Sequence, residues 1–194
     1  MIHIKIAPVW IALLFLSASC LSEGEFNPEP TTNVGTTYRI KAGEHSTTSP
    51  FKRFSKNRIR FEVKFDSSAV YKTLDPNNQA DINKLYGMSD CRAHHQVSSA
   101  RFGWRWYQNQ LELHAYSYRN RQRQSTFVAT IPLNQWVICE LTLTDQQYIY
   151  RAAGQQVEQP RGCSGTGVGY QLYPYFGGDE TAPHDISIQI REMP

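Results

Sequence analysis

Between residues 58 and 191, hydrophobic and polar side chains alternate one for one in run after run. Ile59, Phe61, Val63 and Phe65 alternate with Arg58, Arg60, Glu62 and Lys64. That is the period of a strand with one face in a core and the other in water. Phe102, Trp104 and Trp106 alternate with Arg101, Gly103 and Arg105, and Leu111, Leu113 and Ala115 with Glu112, His114 and Tyr116. Shorter runs recur at 127–131, 137–143, 148–151, 170–176 and 186–190. Turn-forming clusters separate them, among them Tyr107-Gln108-Asn109-Gln110, Arg119-Asn120-Arg121 and Gly177-Gly178-Asp179. Short strands in hairpin-like succession predict an all-β antiparallel sandwich or barrel. One stretch departs from the pattern. Asp75 followed by Pro76, with Gly87 after the last apolar position, predicts a short helix. No repeat is visible, so residues 38–194 are read as a single domain.

The N-terminus follows a different logic. Lys5 precedes an apolar run from Ile6 to Leu16 and the small residues Ser17-Ala18-Ser19-Cys20. The run is too short for a membrane-spanning helix, which needs about 20 residues, and it has the form of a secretory leader. The cleavage zone resembles a bacterial lipobox, which implies removal of residues 1–19 and lipidation of Cys20. Ser17 stands where a lipobox favours Leu, so plain secretion with cleavage near Ala18 or Ser19 is the other reading. Residues 20–37 are polar, acidic and Pro-bearing, as a flexible tether should be. The expected address is therefore the outer membrane or cell surface, with the membrane reached through a lipid anchor only.

Composition narrows the partners. In 194 residues Lys+Arg number 20 and Asp+Glu 17, a surplus of +3 that includes Lys5 in the leader. A balance this even argues against nucleic acid gripped by charge. Aromatic residues make up 12% of the chain, and they concentrate in 102–118 and 170–176. Three cysteines remain beyond Cys20. Cys139 falls on an inward position of its run. Cys91 and Cys163 sit in loop-like contexts, where an oxidising compartment permits a bridge. No C-x-x-C pair occurs, which disfavours structural zinc.

The residues able to carry chemistry gather in two places. His94 and His95 precede the strand that bears Arg101 and Arg105. On the next strand Glu112, His114, Tyr116 and Tyr118 share the face opposite the core. That row fits an ordinary solvated face. It also fits a sugar site, because a tyrosine ring packs on C–H faces while its hydroxyl hydrogen-bonds. A lyase-like set is the third use, with Tyr116 or His114 as acid or base and Arg105 neutralising a uronate. Glu112 and Glu140 are the carboxylates available for glycoside hydrolysis, which needs a pair about 5–9 Å apart.

The stretch from Gly169 to Ile190, with His94-His95 and Ser99–Trp106, resembles a group of small uncharacterised surface lipoproteins of Bacteroidetes type. That resemblance implies a concanavalin-like jelly-roll sandwich and carries no established activity. In the wider superfamily an Asp at the start of the last strand often binds structural calcium. Asp185 corresponds in position, with Asp179 nearby. Structural calcium, which needs six or more oxygens, is the only cofactor expected. The sequence thus points first to non-catalytic binding of a glycan or another cell-surface ligand through His114, Tyr116, Tyr118, Arg105 and Glu112, with His94 and His95 at the rim. A polysaccharide lyase and a structural surface lipoprotein are the alternatives.

Overall fold

The computed structural model describes residues 1–2 and 35–194; Cys20 and nearly all of the leader and of the tether lie outside the described residues. Twelve strands carry the described fold: β1 (Thr36–Ile40), β2 (Arg53–Ser55), β3 (Arg58–Phe65), β4 (Asn83–Ser89), β5 (Ser98–Tyr107) and β6 (Gln110–Arg119), then β7 (Gln122–Ile131), β8 (Val137–Leu143), β9 (Gln147–Ala152), β10 (Gln155–Pro160), β11 (Val168–Leu172) and β12 (Ile186–Met193). They form two six-stranded antiparallel sheets, ordered β1-β12-β3-β8-β9-β10 and β2-β11-β4-β5-β6-β7. This is the expected all-β jelly-roll sandwich. Its first strand begins at Thr36, two residues ahead of the boundary read from sequence.

The alternation drives the packing. In β3 the inward residues Ile59, Phe61, Val63 and Phe65 are buried while their neighbours are not. Aromatic edges stitch the two sheets together: Phe61 meets Phe102 at 5.8 Å, Phe65 meets Trp104 at 5.1 Å, and Phe102 meets Tyr150 at 5.4 Å between ring centroids. Trp104 belongs to this core and Trp106 packs against it. Two-residue turns hold the hairpins. Gln108 and Asn109 between β5 and β6, and Asn120 and Arg121 between β6 and β7, all have positive φ, the backbone twist that tight hairpins require.

The expected helix is only partly present. Asp75 caps a 3₁₀ turn over Pro76–Ala80 by accepting from Asn77 N at 2.9 Å, but the chain then enters β4. Leu85, Tyr86 and Gly87 are strand residues, buried on both faces. A strand covered on both sides loses its period of two, so the capping signal upstream dominated the reading. Glu112 and Glu140 also fall apart, because β6 and β8 belong to different sheets. They cannot flank one bond.

Cys91 and Cys163 form a disulfide, and Cys139 is a buried thiol. Beside the bridge lies a closed polar cluster. Arg161 donates to both oxygens of Asp90, at 2.7 and 3.3 Å, and to the carbonyls of Thr144 and Gly165. Asp90 also accepts from Tyr148 Oη at 2.9 Å and from Val168 N. Every charge there has a partner.

Candidate functional site

The register of the β5–β6 hairpin places Arg105 across from Glu112, Gly103 across from His114 and Arg101 across from Tyr116, all on the face away from the core. The polar row predicted from sequence therefore exists. It is not solvated: Glu112, His114 and Tyr116 are all buried. It also divides into two groups with different work.

The first group is self-contained. Glu112 Oε2 accepts from Arg105 Nε at 2.6 Å and from His114 Nε2 at 3.0 Å. Arg105 Nη1 donates to Ala80 O, and its guanidinium lies 4.3 Å from the centre of the Tyr107 ring. His114 presses against Phe127. Burial holds the His114 pKa below its usual value, against the opposing pull of Glu112. A neutral imidazole with Nε2–H aimed at a carboxylate is a positioning contact. The ligand roles expected for Arg105, Glu112 and His114 are not where these side chains point; they brace β5 and β6 against the 3₁₀ turn.

The second group opens into a cleft of about 330 Å³. Its floor is Arg101 and Tyr116, with Tyr118 and its cross-strand partner Arg123 on one side. Lys84 of β4 enters from the other side. A reciprocal pair of backbone hydrogen bonds, at 2.8 and 2.9 Å, ties Lys84 to Tyr175 in the β11–β12 connection. The Lys84 ammonium donates to Gly177 O and lies 5.7 Å from the Tyr116 ring centre and 5.5 Å from that of Tyr175. Tyr175 is stacked in turn on His45. Asp179 and the turn bearing His95 and Gln96 complete the rim.

Burial sets the ionisation of this group. It pulls Lys84 down to about 8, with Arg101 adding to the effect. It pulls His95 down to about 4, helped by Arg101 and His94, so the imidazole is neutral at neutral pH. It pushes the Tyr116 hydroxyl up to about 12, with Tyr118 contributing. His95 is fixed by Tyr170, whose hydroxyl lies 3.1 Å from its backbone N and 3.0 Å from Nδ1. His94 is exposed, tilted against the His95 ring at 4.1 Å between centroids and outside the cleft lining.

Arg101 stands out. Only 7% of it is exposed, its Nε has no hydrogen-bond partner, and among the described residues no carboxylate pairs with it. Gly87 lets the β5 backbone pass close to β4 at this residue. A Cβ there would lie 2.3 Å from Arg101 Cα and Cβ, across a bulge in the β4–β5 ladder.

The carboxylates expected to hold calcium are committed elsewhere. Asp185 accepts from Lys41 Nζ at 2.7 Å and from Ala42 N at 3.0 Å. Glu180 receives Leu74 N, Asp75 N and Asn78 Nδ2. Asp179 faces the cleft instead. Calcium needs six or more oxygens, and among the described residues neither Asp185 nor Asp179 belongs to a group of three potential ligand side chains.

Sequence reasoning found Tyr116, Tyr118 and His95 but missed Lys84, Arg101, Arg123 and Tyr175 as cleft residues. A signal for Arg101 was available. Closing the hairpin on Gln108-Asn109 sets Arg101 opposite Tyr116.

No known family and no curated protein matches this sequence. Solved structures do match in shape. The alginate lyase AlyC3 superposes with a TM-score of 0.51 at 11% identity, over 82% of this chain and 74% of that one. A prokaryotic β-1,3-1,4-glucanase (lichenase) derived from a mouse hindgut metagenome gives 0.47 at 10% identity, over 81% and 79%. The carbohydrate-binding module CBM66 from Bacillus subtilis gives 0.39 at 7% identity, over 81% and 88%. At such identities the likeness is one of fold.

Proposed function

We propose that this is an exported, lipid-anchored protein whose sandwich binds a glycan in the Lys84–Tyr118 cleft without cleaving it. The observation that carries the reading is the set of three tyrosines around one cleft. Tyr118 and Tyr175 are part-exposed and offer rings for C–H faces and hydroxyls for hydrogen bonds, and buried Tyr116 closes the floor between them. The alginate lyase AlyC3 shares this sandwich shape, which supports a glycan as the ligand. Binding is favoured over chemistry by the state of the acid–base groups. Burial makes the Tyr116 hydroxyl a poor base, and His114 is locked to Glu112 outside the cleft. Export is supported by the Cys91–Cys163 disulfide, which an oxidising compartment maintains. The anchor rests on the leader and Cys20.

Calorimetric titration of the domain with a panel of neutral and acidic oligosaccharides tests the proposal, with product analysis of the same mixtures. The expected result is saturable binding and unchanged oligosaccharide. Tyr118→Ala should weaken that binding by about 1 kcal/mol. Shortened or unsaturated products would replace binding with catalysis. Silence across the whole panel would remove the glycan altogether. Mass analysis of the mature protein from membranes should find acyl chains on Cys20.

A further inference from the structure

We infer that the ligand is acidic, and that Arg101 is the residue that receives its carboxylate. The inference rests on the cleft being a binding site and names the chemical class that the site takes.

A guanidinium stays protonated in a protein, so a buried arginine always brings a charge with it. Burial pulls Arg101 below the ordinary arginine value, yet among the described residues no carboxylate pairs with it. Its nearest compensation is the Tyr116 ring, 5.5 Å from Cζ to centroid. That is a weak substitute for an anion. Gly87 lets the β5 backbone approach closely at Arg101, which fixes where the side chain leaves the strand. Unpaired buried charge without a structural purpose is a liability that a sequence loses easily, since an apolar residue of similar length fills the same volume.

The surroundings repeat the message. Lys84 and Arg123 line the same cleft, and its one lining carboxylate, Asp179, is exposed at the rim. His95 adds no charge at neutral pH. The cleft is therefore a cationic pocket walled by tyrosines. Its complement is a sugar ring carrying an anion, the ring on the tyrosines and the anion on Arg101. The planar guanidinium fork matches a planar carboxylate, which makes a uronic acid the ligand unit. A sulfate ester offers the same charge with tetrahedral geometry and is separated from it by the experiment.

The test uses matched probes. Oligouronides of mannuronate, guluronate, galacturonate and glucuronate are titrated beside the same oligomers with their carboxyls reduced to alcohols, and beside sulfated neutral oligosaccharides. At least one oligouronide should bind, its reduced partner at least 100-fold more weakly, and added salt should weaken the complex. Arg101→Met should lose at least 100-fold in affinity while melting no lower than the parent. Arg101→Lys, which keeps the charge and loses the fork, should lose about 10-fold or more. Equal binding of acidic and reduced forms, or full affinity in Arg101→Met, would overturn the inference and leave glycan binding standing. Binding of sulfated probes alone would overturn the carboxylate. A protein that binds none of the three sets loses both this inference and the function beneath it.

Discussion

Two arginines are buried to nearly the same depth in this sandwich, Arg161 at 6% exposure and Arg101 at 7%, and the fold treats them in opposite ways. Arg161 donates to both oxygens of Asp90 and to two carbonyls, in a cluster sealed beside a disulfide. Arg101 has an aromatic face, an unpartnered Nε and a cleft. The lesson is that burial and charge alone do not distinguish structure from function. Whether the charge is already answered does. Arg161 is finished by folding, whereas Arg101 is left for something that arrives afterwards.

The comparison breaks most visibly at Arg161. Arg161→Met strands the Asp90 carboxylate in the interior, and removing one partner of a buried pair costs about 3–5 kcal/mol. Denaturant melts should show that loss. A cost near zero would mean that Asp90 finds another partner and that the two arginines differ less than their contacts suggest. Arg101→Met should move stability the other way, with a gain of about 1 kcal/mol in the ligand-free protein. Destabilisation by a similar amount would show that Tyr116 answers the charge well enough for Arg101 to count as structural.

The smallest effect concerns pH. Lys84 faces Arg101 on β5, Tyr116 on β6 and Arg123 on β7, together with Asp81, Tyr175 and Asp179. Its pKa of about 8 lies below the ordinary lysine value. Between the two values the unfolded chain binds a proton that the folded one does not, so stability of the free protein rises with pH through that window. Affinity for an acidic ligand should fall over the same window as the ammonium is lost. Opposite slopes in melts and titrations are expected, and Lys84→Met should flatten both. Parallel slopes would detach Lys84 from the ligand.

The sandwich was legible because period-two alternation survives wherever one face meets water. β3, β6 and β12 could be drawn from their sequences, as could the hairpin at Gln108-Asn109. β4 could not, since Leu85 and Tyr86 face the core while its other face is covered as well. Lys84 was hidden with it. The tyrosines of the cleft were visible as a row, but a row does not reveal which members turn inward to one another. Glu112, His114 and Arg105 neutralise themselves through contacts between strands and with Ala80. Arg101 reads like Arg105 in the sequence, and only the absence of a cross-strand carboxylate sets it apart. Opposite Arg105 stands Glu112; opposite Arg101 stands Tyr116.

The Cys91–Cys163 bridge has one more consequence. It ties residues 72 positions apart into a covalent ring that contains β5 through β10. A protease cutting at the exposed tip Asn120-Arg121 would leave two fragments still joined, running as one species on a gel until reductant parted them. A cut at Gly178, beyond the ring, would leave its C-terminal fragment held by non-covalent contacts alone, among them β12's pairing and the hydrogen bonds of Glu180 and Asp185. Digestion patterns compared with and without reductant would thus tell a nick inside the ring from one in the loop that carries Tyr175.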